Sequence, residues 1–190
     1  MTEIKIEKKK PAWPLIVLAV AIIGLILVYF LAYNDREDEV VGNLDNTEIV
    51  PGSEITSYFL LIDSDPDSMS LSHEFTNDAL MRLIQATSFT ALKNNFDIKA
   101  DLESARNYAT DITKDPFETT HADKIRKAAD ILTTALVNLQ EANYPDLINE
   151  ATELEKAAAA IDPDTLTLEQ KVEVKTFFRK AKDLLHEMNS

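Results

Sequence analysis

The chain has 190 residues, of which 45% are hydrophobic and 27% are charged, and its formal net charge is −14. This size fits one modest domain with an appended segment, and only 3 glycines and 7 prolines argue against a turn-rich β-protein. The lack of cysteine excludes disulfides, thiolate metal sites and cysteine nucleophiles, and the strong negative charge argues against a nucleic-acid partner.

The first predicted element is a transmembrane helix at residues 11–34, a segment that contains no charged residue. A helix needs about 20 apolar residues to cross the hydrocarbon core of a bilayer. Aromatic rings near the two ends, Trp13, Tyr29 and Tyr33, fit the headgroup regions. The alternatives are a buried helix, which would need a larger partner core, and a cleaved signal peptide, whose apolar region is shorter.

The residues on either side of this span predict its orientation. Residues 1–10 form a basic stub with four lysines and two glutamates, whereas the segment after the span is acidic. By the positive-inside rule the stub lies in the cytoplasm, and the rest of the chain lies outside it. Residues 35–53 are acidic and include Gly42, Pro51 and Gly52, so we expect a tether there.

Residues 54–190 are predicted to form an all-α domain, an antiparallel bundle of four to five helices. The apolar run at residues 58–62 fits either a strand or a helix, and a helix is favoured because the chain beyond it is helical. From about residue 71 onward, apolar side chains recur at steps of three and four, which is the period of an amphipathic helix.

Five such apolar stripes follow one another, and each must bury its apolar face against the others. Thr167 and Gln170 are predicted to form a capping box at the start of the fifth helix. The predicted stripes are, in chain order, Phe75, Ala79, Leu80, Leu83, Ile84, Thr87 and Ala91; Ile98, Leu102, Ala105, Ala109 and Ile112; Ile125, Ala128, Ala129, Leu132, Ala135, Leu136 and Leu139; Leu147, Ala151, Leu154, Ala158 and Ile161; and Val172, Val174, Phe177, Ala181, Leu184, Leu185 and Met188.

The segment before the first stripe carries a candidate metal site. Four acidic side chains occupy positions 1, 3, 5 and 12 of a calcium-loop pattern: Asp63, Asp65, Asp67 and Glu74. Ser68 stands where that pattern needs a glycine, and no second loop is present to pair with this one. The alternative is a solvated turn in which Asp67, Ser68 or Ser70 caps the first helix of the five.

The three histidines, His73, His121 and His186, are candidate metal or haem ligands by residue type. Glu118 and His121 form a Glu-x-x-His pair, but di-iron bundles need two such pairs. In an up-and-down order His73 and His121 begin two helices at one end of the bundle, and His186 lies at the opposite end. We therefore expect three partly exposed histidines near helix ends rather than a haem or zinc site built from all three.

Catalytic motifs are not apparent in the sequence. No glycine-rich phosphate loop, dinucleotide fingerprint or serine-bearing elbow is present. The acidic residues of the predicted helices mostly occupy the outer faces, so no pair can be named as acid and base. We therefore assign no catalytic residue and expect that the protein is not an enzyme.

Three segments carry a resemblance to a known group: "MSLSHEFTNDALMRLIQA" (Met69–Ala86), "THADKIRKAA" (Thr120–Ala129) and "LTLEQKVEVKTFFRKA" (Leu166–Ala181). They are similar to small uncharacterised membrane-anchored helical envelope proteins of Bacteroidota-type bacteria. The resemblance implies an all-α fold and an envelope location, and it implies no activity.

Taken together, these features predict an interaction or scaffold module of the bacterial inner membrane. Its N-terminus would be cytoplasmic and its C-terminal domain periplasmic, and its partners would be the lipid bilayer and an envelope protein. The alternative is a calcium-responsive or cation-responsive binding module that uses the acidic loop between Asp63 and Glu74.

Overall fold

The computed structural model describes residues 52–64, 72–114 and 121–190. Within these residues the chain forms six α-helices and two short 3-10 helices, and no strand. The all-α prediction is therefore confirmed, with six helices instead of four to five. The helices are α1 (Ser53–Ser64), α2 (His73–Lys93), α3 (Lys99–Lys114), α4 (His121–Asn143), α5 (Ile148–Ala159) and α6 (Lys171–Asn189), and the 3-10 helices are Pro145–Leu147 and Thr167–Gln170.

The predicted transmembrane helix at residues 11–34 lies outside the described residues, as does most of the predicted tether at 35–53. Among the helices that the structure describes, none has the length and apolar character needed to cross a membrane. The described helices all fall within one compact unit, residues 50–190.

The packing of the bundle follows from the lengths of its helices. The three long helices α2, α4 and α6 contact one another and form the centre. Each shorter helix packs against two long ones: α1 against α2 and α6, α3 against α2 and α4, and α5 against α4 and α6. Neighbouring helices in the sequence are thus neighbours in space, and α1 and α6 close the ring. Burying each apolar stripe against the neighbouring helices removes it from water, which is the main source of stability in such a fold.

The core consists largely of the predicted stripes. Nearly every predicted stripe residue is buried, with Phe75 and Leu147 only partly so. Val172 is the one clear error, because its side chain is 63% exposed. The 3-10 helix before α6 shifts the helix start to Lys171, and the inward face of α6 then begins at Val174. Phe178, which the prediction omitted, is fully buried beside Phe177, with ring centroids 5.2 Å apart.

Helix α1 confirms that the short apolar run is helical. Its buried residues Ile55, Tyr58 and Ile62 recur at steps of three and four and face the rest of the bundle. The Tyr58 hydroxyl donates a hydrogen bond of 2.7 Å to the backbone carbonyl of Phe178. Because the phenol ring is fully buried, this bond satisfies a polar group that has lost its contact with water. Tyr58 thereby fastens α1 to α6.

Two predicted helix starts are wrong in detail. Helix α2 begins at His73, and its cap is Ser72, whose hydroxyl accepts a hydrogen bond of 3.2 Å from the Phe75 amide. The predicted caps at Asp67, Ser68 and Ser70 lie too far upstream, because a capping side chain reaches only the first helical turn. The predicted capping box is also absent: Thr167 starts a 3-10 helix that has no side-chain cap, and Gln170 is turned into the α5–α6 loop.

A side chain on the long helix α4 holds the end of the shorter helix α5. Arg126 on α4 donates hydrogen bonds to the carbonyls of Ala159 and Ile161, at 3.0 and 2.8 Å, at the C-terminal end of α5. The same guanidinium is paired with Asp130 one turn along α4. A positive charge is favourable at this position because the last carbonyls of a helix carry partial negative charge.

Candidate functional site

A surface groove of about 930 Å³ lies between the C-terminal half of α2 and the start of α3. Its apolar lining includes Ala91, Ile98 and Leu102, all buried in the core, and the partly buried Phe96. Leu92 also lines the groove, but its side chain is 73% exposed. An exposed leucine beside a concave apolar surface is a feature that binding sites share, because such a surface loses water when a partner covers it.

Charged side chains of both signs line the same groove. Asp97 and Glu103 are negative, Lys99 and Arg106 are positive, and all four are exposed. The groove is therefore balanced in charge, although the whole chain carries −14. Such a lining excludes neither an acidic nor a basic partner from the groove itself, while the chain as a whole attracts positively charged ones.

The groove exists because the chain turns sharply after α2. The amides of Asn95 and Phe96 donate to the carbonyls of Leu92 and Ala91, at 3.1 and 2.9 Å, in the pattern of a Schellman motif. Asn95 has a φ of +54°, a left-handed conformation that asparagine tolerates better than most residues. The motif turns Phe96 back toward the core and leaves Leu92 facing solvent.

A polar contact anchors this turn to the centre of the bundle. The Asn94 side-chain amide donates to the Tyr144 hydroxyl at 2.8 Å and to the Thr90 carbonyl at 2.7 Å. Gln140 in turn donates to the Tyr144 carbonyl at 2.8 Å. The C-terminal end of α2 is thereby tied to the C-terminal end of α4, so the wall of the groove formed by α2 is held in place.

A histidine pair joins the other ends of the same two helices. Nε2 of His73, at the start of α2, lies 2.9 Å from Nδ1 of His121, at the start of α4. The ring centroids are 4.0 Å apart and the rings are nearly perpendicular. The expectation that these two histidines share an end is confirmed. The expectation of partial exposure is wrong for His121, which is only 4% exposed because it packs against α2.

The surroundings of His73 favour the neutral form of its imidazole. Burial lowers the pKa of His73, and the nearby His121 lowers it further, because two imidazolium ions in contact would repel each other. The His73 ring also lies at the N-terminus of α2, where the partial positive charge of the backbone disfavours a cation. His186 lies elsewhere, in the last turn of α6, where its ring packs edge-on against Phe59.

The predicted calcium-loop residues are only partly described. Asp63 lies near the end of α1 and forms an ion pair with Lys182 of α6. Glu74 is an exposed residue in the first turn of α2. Asp65 and Asp67 lie outside the described residues, so the four-residue site stays a prediction. Within the parts of the chain that the structure covers, no three His, Asp or Glu side chains are arranged to hold a metal.

The sequence analysis did not predict two features of the α2–α3 groove, namely the turn at residues 94–97 and the exposure of Leu92. The "NNFD" turn at residues 94–97 carries the signal of a helix C-terminus, since asparagine is the residue after glycine that most readily adopts the left-handed conformation. The exposure of Leu92 had no such signal, because it falls one residue off the apolar stripe of α2 and reads as an ordinary surface leucine.

Glu118, the partner of His121 in the Glu-x-x-His pair, lies outside the described residues.

Comparison with known proteins does not supply a relative: no family model matches the chain, and no curated protein or solved structure matches it. The class that the fold itself defines is an all-α helical bundle with a surface groove.

Proposed function

We propose that the chain is a membrane-anchored interaction module of the bacterial envelope. A single transmembrane helix at residues 11–34, with its basic stub in the cytoplasm, would hold an antiparallel helical bundle in the periplasm. The role is binding without catalysis. The single observation that supports it is the α2–α3 groove, where the apolar lining and the exposed Leu92 offer an anchoring point for a protein partner.

The partner that best fits this groove is an amphipathic helix of a neighbouring envelope protein. The groove runs between two helices, and a third helix can place apolar side chains one turn apart along such a floor. The mixed charges of its lining suit the polar flanks of that helix. Because the module carries a large negative charge, basic residues flanking the partner helix would accelerate the encounter and make it sensitive to salt.

Photocrosslinking in intact native cells tests where the partner binds. A photoreactive residue is placed at Leu92 and, in a matched control, at Leu60, an exposed leucine on α1. The proposal expects a discrete crosslinked protein from position 92 that is absent from position 60 and disappears when Phe96→Glu is added. Equal crosslinking from both positions, or no crosslinking from position 92, would refute the groove as the binding surface.

Membrane anchoring is tested separately. The full-length protein should stay with membranes in alkaline carbonate, and a C-terminal tag should be digested only when protease reaches the periplasmic side. Release by carbonate would refute the anchor, and digestion by cytoplasmic protease alone would refute the orientation. These results are independent of the groove, so the two halves of the proposal can fail separately.

The calcium-responsive role is the alternative that the sequence offers. It uses Asp63, Asp65, Asp67 and Glu74, and calcium would have to displace Lys182 from Asp63. Calorimetry with millimolar calcium distinguishes this alternative, since binding heat that is lost in Asp65→Asn would support it and an absence of heat would remove it.

A further inference from the structure

We propose that His73 and His121 bind a divalent transition-metal ion between their imidazole rings. The two nitrogens that face each other, Nε2 of His73 and Nδ1 of His121, are 2.9 Å apart although the residues are 48 positions apart in the sequence. They come from two different long helices of the bundle centre. This inference does not depend on the groove or on its partner.

The separation of the two nitrogens fits a particular coordination geometry. Imidazole nitrogens bind such ions at about 2.0–2.1 Å, so two nitrogens 2.9 Å apart subtend an angle of about 90° at one ion. That angle belongs to octahedral and tetragonal ions such as Ni²⁺ and Cu²⁺. A tetrahedral ion such as Zn²⁺ would require the nitrogens to separate by about 0.4 Å, as the same bond lengths show. We therefore expect the affinities for Cu²⁺ and Ni²⁺ to exceed the affinity for Zn²⁺ by more than the usual order of divalent-ion affinities gives.

The hydrogen-bonded pair can present one lone pair from each ring to an ion. A ring nitrogen can ligate only when it carries no proton. In the metal-free pair one N–H donates to the opposite nitrogen. When the ion enters, that hydrogen moves to the other nitrogen of its own ring, so each ring keeps one N–H and both facing nitrogens present a lone pair.

Access and charge set the strength of the site. His121 is buried but His73 is only half-buried, so the ion can enter from the His73 side. The helix N-termini oppose a cation, whereas the net charge of −14 attracts one. Among the described residues no third His, Asp or Glu converges here, so the two imidazoles are the protein ligands that this inference assigns.

The test uses the full-length protein in detergent micelles. Calorimetry with Ni²⁺ measures stoichiometry and affinity for the wild type, His73→Gln, His121→Gln and the matched control His186→Gln, which removes a histidine outside the pair. Electron paramagnetic resonance with one equivalent of Cu²⁺ reports nitrogen ligands on the wild type directly, so the test does not rely on the variants folding.

The expected result is one Ni²⁺ per chain and Cu²⁺ coupled to two imidazole nitrogens. Loss of either ligand should weaken the site by about tenfold or more, since even outer-shell changes cost metal sites about 10–100-fold. His186→Gln should bind as the wild type does. The absence of saturable Ni²⁺ binding, binding that survives both His73→Gln and His121→Gln, or a Cu²⁺ spectrum without nitrogen coupling would overturn the proposal and leave a hydrogen-bonded pair only.

Discussion

Replacing Gln170 by alanine should destabilise the bundle by removing a brace inside the α5–α6 loop. Gln170 is 4% exposed. Its carbonyl oxygen accepts from the Asp162 amide at 2.8 Å, and its amide group donates to the carbonyls of Asp162 and Thr165, both at 2.7 Å. One side chain thus makes three hydrogen bonds to backbone groups of the loop that connects α5 to α6.

The size of this effect follows from those three bonds. A hydrogen bond contributes about 0.5–1.5 kcal/mol net, which gives about 3 kcal/mol for three. The residues of the loop are largely exposed, so water replaces part of what is lost, and we expect Gln170→Ala to lower the free energy of unfolding by about 2 kcal/mol. Gln170→Glu should cost at least as much near pH 7, because a carboxylate replaces the donor that faces two carbonyl oxygens.

The assay is urea unfolding of the full-length protein in mild detergent, followed by circular dichroism. Thr167→Ala is the informative control. If Thr167 and Gln170 formed a capping box, losing the threonine would cost about 1 kcal/mol. The observed loop predicts a change within about 0.5 kcal/mol for Thr167→Ala. A Gln170→Ala cost below about 0.5 kcal/mol, or a larger cost for Thr167→Ala, would refute the reasoning.

Three further predictions concern the contacts between helices. Arg126→Ala should lower the free energy of unfolding by about 2 kcal/mol, because two charge-assisted bonds to the end of α5 are lost; urea unfolding measures it. Tyr58→Phe should cost about 1 kcal/mol near neutral pH. Burial, with a contribution from the charge of Asp183, raises the pKa of Tyr58 above its ordinary value of 10.0. Above pH 10 the unfolded chain therefore loses this proton before the folded chain does, so the free energy of unfolding should fall as the pH rises. The fall should be larger in the wild type than in Tyr58→Phe. The pKa of His73 is lowered in the folded chain, so the unfolded chain takes up a proton first as the pH falls below 6.5. The free energy of unfolding should therefore fall below pH 6.5, and it should fall less in His73→Gln. Urea unfolding at a series of pH values measures the effects of both Tyr58 and His73.

Each of these predictions has a clear contrary outcome. Arg126→Ala with the stability of the wild type would show that the end of α5 needs no support. A Tyr58→Phe curve parallel to that of the wild type above pH 10 would remove Tyr58 as the source of the alkaline loss. An unchanged acid slope in His73→Gln would show that His73 is not the source of the acid loss.

The fold was predictable because its main force is the burial of apolar stripes. Each stripe has the period of a helix, and five of them in a row leave an all-α bundle as the only economical solution. The errors fall where a helix begins. Ser72 rather than Ser70 caps α2, and Val172 near the start of α6 points outward. Both errors arise because the first residue of a helix depends on one or two side chains, whereas many residues together set the period of the apolar stripe.

The candidate sites were less predictable because they depend on contacts between distant residues. The shared end of His73 and His121 followed from helix order, yet their contact and the burial of His121 depend on how closely α2 and α4 pack. The groove required the turn at Asn95 and the outward position of Leu92, and neither follows from the apolar period alone.

The most direct test of the central claim, that the module works by binding a protein partner at the α2–α3 groove, is a binding measurement with two matched variants. Once crosslinking from Leu92 has identified the partner, its affinity for the purified full-length protein is measured for the wild type, Leu92→Glu and Leu60→Glu. Our account predicts that Leu92→Glu weakens binding by about tenfold or more, as burying an unpaired charge in an interface centre does, while Leu60→Glu leaves it unchanged. Equal affinity for the two variants would contradict it.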